Sequence, residues 1–325
     1  MRSLKILTWN TRASYLYYLT QAPHEFYVLT RPGRPPGYAG RSSSLPWGKN
    51  VHEVPVSEAR YCQFDCILFQ SDQQYREDQF EFLTPSQRAL PRIFIEHDPP
   101  TSHPTDTSHP VDDADMLLVH VTPFNALMWN SGRTPTHVIE HGVTIPDGFN
   151  YLGDRDSGLV IANDLARRGR SLGADVFNDV RAKVRLDLVG TGSEQLGGQG
   201  PIPHSLLPAF AARYRFLFSP SRYTSVGLAV IEAMMIGMPI VSFATTEMAT
   251  VIDNGHSGFI SNDPCVLVDH MQELARNPAL ARSLGQQAQR TARERFNIDR
   301  FCSEWDGALR HVTGTRRHSF GIGGI

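Results

Sequence analysis

The chain of 325 residues is 41% hydrophobic and 20% charged, which is typical of a globular protein of about two domains and excludes a disordered or fibrous chain. Its net charge of −2 argues against nucleic acid as a partner, because nucleic-acid binding needs a basic excess. No apolar run reaches the ~20 residues of a membrane span, and no secretory signal opens the chain. We therefore expect a cytoplasmic protein with four reduced cysteines, and peripheral membrane contact stays open.

Short apolar runs separated by helical or polar stretches organise the first 146 residues. They predict strands at 4–7, 25–29, 66–69, 92–95 and 116–119, with a helix at 15–20. Strands that are apolar throughout are buried on both faces, which is typical of a parallel sheet covered by helices. A segment rich in proline, glycine and serine, residues 31–49, predicts a long loop.

The same alternation restarts after a polar linker predicted at residues 145–157. Four further strands are predicted at 158–162, 186–189, 215–218 and 239–243, and helices at 226–236, 265–277 and 278–296. The sequence therefore predicts two α/β domains in tandem, residues 1–146 and 147–300.

The segment 218–243, FSPSRYTSVGLAVIEAMMIGMPIVSF, leaves a strand and enters a helix through a turn of small residues. The free N–H groups of a helix's first turn and the helix dipole form an anion site, here at Val226, Gly227 and Leu228. Gly227 would allow a phosphate close to the backbone, and the Glu232 carboxylate could accept two hydrogen bonds from a ribose diol. Alternatively, Gly227 is a packing glycine and Glu232 a solvated helix residue.

This segment resembles the donor-site signature of retaining GT-B glycosyltransferases of the family 4 type. In that family one Glu begins the turn and a second lies eight residues further on, and Glu232 matches the second. The resemblance implies that Glu232 contacts the ribose of a nucleotide sugar, with Ser225 in the same donor turn. Thr224 occupies the position of the first Glu, which faces the transferred sugar and the reacting centre.

Three other segments resemble the family in order and spacing: VIEHGVTIP at 138–146, LVGTGSE at 188–194 and TVIDNGHSGFI at 250–260. The second implies a glycine turn, Gly190 and Gly192, in the donor site. The family's fold is two tandem Rossmann-like domains that face a cleft. In that fold the last helix, here 301–312 with Trp305, crosses back onto the first domain, and a tail runs to residue 325.

Basic and histidine side chains complete the predicted site. Arg168 and Arg170 follow the first strand of the second domain, where arginines would neutralise a diphosphate; an exposed basic helix start is the alternative. Arg168, which precedes Gly169, also matches a basic residue that the family usually has before a glycine. His97 follows the strand at 92–95, near a family histidine that reaches the donor sugar, although it could be a structural loop residue. Asn10 and Arg12 follow the first strand and are the candidate acceptor contacts.

A small repeat, TSHPTD then TSHPVD at 101–112, contains His103 and His109, which together with His97 recur every six residues with aspartates nearby. Imidazole and carboxylate together could bind a divalent metal, but the spacing is not that of a known zinc finger or of a helical His-x-x-x-His pair. We expect a proline-stiffened loop and no metal site, since basic groups and a helix terminus neutralise the donor in GT-B enzymes.

The sequence thus predicts a glycosyltransferase that moves a sugar from a nucleoside diphosphate sugar, its co-substrate, to a glycan, lipid-linked or small-molecule acceptor. The resemblance implies retention of anomeric configuration and no further cofactor. A non-catalytic nucleotide-sugar-binding protein, a sugar-nucleotide epimerase and, last, a metal hydrolase built on the histidine loop remain as alternatives.

Overall fold

The computed structural model describes residues 2–42, 45–146 and 148–314, so the predicted tail 315–325 lies outside the described residues. The chain forms two compact units. The first unit runs to Glu140 and resumes at Asp299, and the second is His141–Ile298. The structure thus divides the chain six residues before the predicted boundary at 146, and it groups the C-terminal helix with the first unit.

The first unit is built on a seven-stranded sheet in the order β3-β2-β1-β4-β5-β6-β7, in which every pair is parallel. Its strands are β1 (Lys5–Thr8), β2 (Glu25–Thr30), β3 (Val51–Pro55), β4 (Cys66–Phe69), β5 (Arg92–Glu96), β6 (Met116–His120) and β7 (Thr136–Val138). Its helices are α1 (Ala13–Leu19), α2 (Val56–Ala59), a π-helical turn (Gln74–Asp78), α3 (Gln79–Phe82), α4 (Pro85–Arg88), α5 (Pro123–Met128) and α13 (Ile298–Val312).

The second unit has a five-stranded parallel sheet in the order β12-β11-β10-β8-β9. Its strands are β8 (Arg155–Ile161), β9 (Leu186–Val189), β10 (Tyr214–Ser219), β11 (Ile240–Ser242) and β12 (Gly258–Ile260). Its helices are α6 (Leu165–Leu172), α7 (Ala174–Arg181), a 3₁₀ turn (Ser193–Leu196), α8 (Leu207–Ala211), α9 (Leu228–Ile236), α10 (Met248–Val251), α11 (Pro264–Arg276) and α12 (Pro278–Arg295).

Each sheet reverses its strand order at one point. In the first unit the chain builds β1, β2 and β3 outward and then returns to place β4 on the other side of β1. In the second unit it returns after β9 to place β10 on the other side of β8. Loops at the carboxyl ends of the strands beside such a reversal form the ligand sites of α/β sheets.

The strands were predicted from apolar runs, and the ones that were missed lack such a run. In β3 the polar pair His52 and Glu53 separates the two valines, while β7 and β12 have only three residues each. The predicted linker at 145–157 is shorter than expected, because β8 begins at Arg155 and pairs there with Tyr214.

The C-terminal helix α13 buries an aromatic face against the first unit. Phe301 and Trp305 are fully buried, and the Phe301 ring meets the Tyr15 ring edge to face at 5.7 Å. The helix is also held by the Arg310 guanidinium, which donates to the Arg2 carbonyl at 3.2 Å and to Asp306 at 2.7 Å. Among the described residues, no helix is both long and apolar enough to cross a membrane.

Candidate functional site

Three loops meet at the reversal point of the second sheet, and they carry most of the residues predicted to bind a donor. They are residues 162–164 after β8, 190–192 after β9 and 220–227 after β10. Because β9, β8 and β10 are neighbouring parallel strands, the three loops emerge at one edge of the sheet. The site is built from these loops and from the helices that follow them.

Backbone packing accounts for the glycine at position 190. Gly190 has φ +130°, and a Cβ built there would lie 2.3 Å from the Ala162 carbonyl oxygen. The neighbouring Thr191 N–H donates to the Asn163 side chain at 2.8 Å, and Thr191 O accepts from the Asp164 N–H at 2.7 Å. Gly192, at φ +72°, then caps the 3₁₀ turn. Both glycines are required by the turn that joins the β8 and β9 loops.

Helix α6 carries the predicted basic residues and is kinked at Gly169, where φ is +56° and ψ is −131°. Arg168, just before the kink, is half-buried, and its carbonyl accepts from the Ser171 hydroxyl at 2.9 Å. The Arg170 side chain, in contrast, is exposed, and it forms an ion pair with the Asp175 carboxylate at 2.6 Å. This carboxylate partner of Arg170 within the chain was not predicted from the sequence.

Arg222, within the loop that precedes α9, holds this region together. Its guanidinium donates to both Asp175 carboxylate oxygens, at 2.6 and 2.9 Å, and to the Arg170 carbonyl at 2.9 Å. The backbone N–H groups of Arg222 and Tyr223 both donate to the Ser171 carbonyl. The loop is thereby anchored to α6 and α7, and the hydrogen bonding from Arg222 lowers the pKa of Asp175 to about 2.

The amino terminus of α9 is open where the sequence predicts an anion site. Gly227 is the N-cap with φ −76° and ψ 146°, and as a glycine it has no side chain that could cap the helix. A Cβ built on Gly227 meets no described atom within 4 Å. Neither packing nor backbone conformation therefore explains a glycine at position 227, which argues against the alternative of a packing glycine. The open position leaves space for a ligand against the N–H groups of the first turn of α9.

The residues before Gly227 differ in exposure. Thr224 is half-buried, whereas Ser225 and Val226 are buried. The imidazole Nε2 of His141 lies 3.1 Å from the Val226 carbonyl oxygen. His141 thus contacts the turn from a segment 85 residues earlier in the chain.

Glu232 lies inside α9 and is only 8% exposed, so it is not a solvated helix residue. Its Oε1 lies 3.4 Å from Nε2 of His204, in the loop before α8. From Val230 to Ile236 every residue of α9 is buried, and Glu232 is the one acid among them. A buried carboxylate needs hydrogen-bond donors, and a ribose diol is one source of them.

The first unit places a second group of polar residues at its own reversal point, after β1, β4 and β5. His97 follows β5, and its Nε2 lies 3.2 Å from Oε1 of Gln70, which follows β4. The Tyr15 ring stands edge to face with the His97 ring at 4.7 Å. The structure therefore brings His97 next to Gln70, a residue that sequence reasoning did not identify.

The candidate acceptor residues lie near His97 but already have partners. Arg12 forms an ion pair with Asp98, and the Asp98 carbonyl accepts from the Trp129 indole at 2.9 Å. Asn10 is buried, and its side-chain amide donates to the Gly40 carbonyl at 2.7 Å. These contacts link Asn10 to the loop at 37–40.

The histidines of the repeat, His103 and His109, have different partners and do not form a common site. His109 pairs with Glu96 at 3.2 Å, whereas Nδ1 of His103 accepts from the Asp106 N–H at 2.9 Å within its own turn. Within residues 2–42, 45–146 and 148–314, no three histidine, cysteine or acidic side chains cluster as metal ligands would. Residues 101–112 lie between β5 and β6 and form neither a helix nor a strand, in agreement with the predicted loop.

Several residues of the site were missed from the sequence: Gln70, His141, Asp175, His204 and Arg222. Arg222 lies inside the most informative segment and could have been found there. Gln70 directly follows a predicted strand, as His97 does, and that shared position was a usable signal. The other three are loop or helix residues whose role depends on the fold.

Comparison with known proteins relates the chain to sugar-transferring enzymes. Residues 167–277 match the sequence family described as group 1 glycosyl transferases. The alpha-D-kanosaminyltransferase of Streptomyces kanamyceticus is 22% identical over 157 residues, which cover 46% of this chain and 40% of that protein. The chain spans 29% and 40% of the length of the first two curated relatives it matches.

Two solved structures resemble the chain over nearly its whole length. Sucrose-phosphate synthase from Thermosynechococcus elongatus superimposes with a TM-score of 0.68 at 15% identity, covering 97% of this chain and 100% of that one. The Anabaena HepE protein, solved in complex with UDP, gives a TM-score of 0.67 at 14% identity, covering 95% of this chain and 100% of that one. At such identities the likeness concerns the fold.

Proposed function

Since the chain has the GT-B glycosyltransferase fold of two Rossmann-like α/β units and residues 167–277 match group 1 glycosyltransferases, we propose that it transfers a sugar from a nucleoside diphosphate sugar to a hydroxyl acceptor. The observation that carries the proposal is the pairing of an open glycine, Gly227, at the start of α9 with a buried carboxylate, Glu232, within the same helix. Between them these groups match a diphosphate and its adjoining ribose.

In this proposal the second unit holds the donor. The first-turn N–H groups at Gly227 and Leu228 face the diphosphate and stabilise the negative charge that grows on it as the bond to the anomeric carbon breaks. Arg168, half-buried beside the kink of α6, adds positive charge. Thr224 faces the transferred sugar. Arg170 takes part only if it exchanges its Asp175 partner for phosphate.

The first unit supplies the acceptor side. His97 contacts the transferred sugar, and Arg12 and Asn10 flank the acceptor hydroxyl. The acceptor oxygen forms the new bond to the anomeric carbon, the nucleoside diphosphate leaves with the bonding electrons, and the hydroxyl proton passes to the departing phosphate or to solvent. Retention of configuration is part of the proposal, and the coupling constant of the product's anomeric proton measures it.

A nucleotide titration tests the donor site. UDP is the first nucleotide to test because the Anabaena HepE structure contains it, followed by GDP, ADP and dTDP. Glu232→Gln should weaken binding of the best nucleotide by ~10- to 100-fold, because a hydrogen bond to a charged group contributes about 1.5–3 kcal/mol. Glu294→Gln, an exposed glutamate of α12, is the matched control and should leave the affinity unchanged.

Transfer itself is then measured with the sugar derivatives of the best nucleotide and a panel of glycan and small-molecule acceptors. Turnover that falls in the Glu232→Gln variant supports a transferase. Tight nucleotide binding without transfer or donor hydrolysis would favour the second candidate, a non-catalytic nucleotide-sugar-binding protein, for which Thr224 in place of the family's glutamate is the motivation. Absence of binding by any nucleotide contradicts both.

A further inference from the structure

Gln70 is buried at the reversal point of the first sheet, and its side-chain amide contacts several hydrogen-bonding groups. It is 6% exposed and directly follows β4. Its side chain lies between the end of β1 on one side and His97 on the other. The amide therefore links two predicted site segments that are far apart in sequence.

The orientation of this amide follows from its neighbours. Nε2 of Gln70 lies 2.7 Å from the Trp9 carbonyl oxygen, which can only accept, so the reverse orientation would bring two carbonyl oxygens into contact. The same Nε2 donates to the Thr8 hydroxyl at 3.2 Å, and that hydroxyl gives its own proton to the Leu68 carbonyl at 3.1 Å. Both amide protons are thereby assigned.

The oxygen of the amide then faces His97. Oε1 of Gln70 lies 3.2 Å from Nε2 of His97, and an amide oxygen only accepts hydrogen bonds. Nε2 must therefore carry the proton. In a neutral imidazole one nitrogen donates and the other accepts, so Nδ1 holds the lone pair.

We propose that Gln70 is a positioning residue that holds His97 in the Nε2–H tautomer. Any group hydrogen-bonded to Nδ1 of the neutral ring, whether from this chain or from a substrate, must then be a donor. The catalytic meaning rests on the proposed function, in which His97 meets sugar hydroxyls. The tautomer itself does not depend on that function.

The orientation of the His97 ring is also fixed by aromatic packing. Tyr15 stands edge to face against His97, with an interplanar angle of 86°, and is itself fully buried. The Tyr15 ring also stands edge to face against Phe301 of α13, at 5.7 Å and 88°. The packing of Tyr15 against the His97 ring keeps Nε2 directed at Gln70. The hydrogen bond to Gln70, which fixes the tautomer, also helps to fix the orientation of the ring.

Nitrogen-15 NMR of the full chain with labelled histidine tests the proposal, because protonated and unprotonated ring nitrogens resonate apart. The His97 signal is assigned by its loss in His97→Gln. We expect the wild-type neutral ring to be protonated at Nε2, and Gln70→Met, which removes the acceptor, to show averaging between the two tautomers. Gln87→Met is the matched control, since Gln87 is also buried and donates to two backbone carbonyls, of Ala59 and Cys62.

Protonation at Nδ1 in the wild type, or a Gln70→Met spectrum identical to that of the wild type, would overturn the proposal. If Gln70→Met fails to fold, the wild-type spectrum still decides: protonation at Nε2 supports the proposal, and protonation at Nδ1 overturns it. Once transfer is measured, Gln70→Met should lower kcat by about tenfold with little change in the donor KM. A chain without transferase activity refutes the proposed function but leaves the tautomer result standing.

Discussion

Arg222 donates two hydrogen bonds to the Asp175 carboxylate, at 2.6 and 2.9 Å. This bidentate pair joins the loop before α9 to helix α7, and the same carboxylate also receives Arg170. The turn that leads to Gly227 is therefore held by groups outside it. A loop that must present backbone N–H groups to a ligand benefits from such anchoring, because less ordering remains to be done when the ligand binds.

Asp175→Asn should loosen this loop and weaken nucleotide binding several-fold. Hydrogen bonding from Arg222 lowers the pKa of Asp175 from 3.8 to about 2, so the pair stabilises the fold above about pH 4, and this contribution is lost as the pH falls towards 2. The measurements are nucleotide titration at pH 7 and urea unfolding between pH 5 and pH 2. Asp156→Asn, which breaks an exposed pair with Arg185, is the control. Equal behaviour of the two variants would contradict the anchoring role.

Gly227 and Gly190 should respond differently to alanine. Gly227→Ala should change the free energy of unfolding by less than about 1 kcal/mol, because its φ of −76° suits alanine and no described atom is close, yet it should weaken nucleotide binding by about tenfold or more. Gly190→Ala should destabilise the fold, because φ is +130° and the new Cβ would lie 2.3 Å from the Ala162 oxygen. Thermal melts and UDP titration separate the two effects. A Gly227→Ala variant that binds like the wild type would place the phosphates elsewhere.

Trp305→Ala should lower the free energy of unfolding by about 3–5 kcal/mol, the usual cost of removing a fully buried large aromatic side chain. Urea unfolding followed by circular dichroism measures it. Leu127→Ala, at a position that is 80% exposed, should change stability by no more than about 0.5 kcal/mol. If both variants unfold alike, α13 does not contribute to the core of the first unit.

His120→Leu should make the protein less sensitive to acid. His120 is fully buried, and burial together with the His109 charge lowers its pKa from 6.5 to about 3. Between those values the unfolded chain binds the proton and the folded chain does not, so wild-type stability falls as the pH is lowered from 6.5 towards 3. Unfolding free energies at pH 7 and pH 4.5 should therefore differ less in His120→Leu than in the wild type. Exposed His256→Leu should retain the full wild-type pH dependence.

Much of the fold could be predicted because buried parallel strands are apolar throughout. The strands at 66–69 and 186–189 were predicted with the bounds that the structure shows. β3 was missed because it lies at a sheet edge, where His52 and Glu53 interrupt it and leave no continuous apolar run.

Residues of the site could be predicted only where one continuous segment of the sequence contains them. Gly227 and Glu232 share a strand, turn and helix, so local chemistry sufficed to select them. The pairs Gln70 with His97 and His204 with Glu232 join residues 27 and 28 positions apart, and only the fold brings them together. Arg170 shows the opposite case, in which an expected ligand contact competes with a carboxylate five residues further along the chain.

A crystal structure of the chain with bound UDP is the decisive measurement for the donor site. We expect the diphosphate to lie against the N–H groups of Gly227 and Leu228, with the ribose hydroxyls on the Glu232 carboxylate. Nucleotide bound elsewhere in the second unit, with the α9 amino terminus empty and no ligand on Glu232, would contradict it.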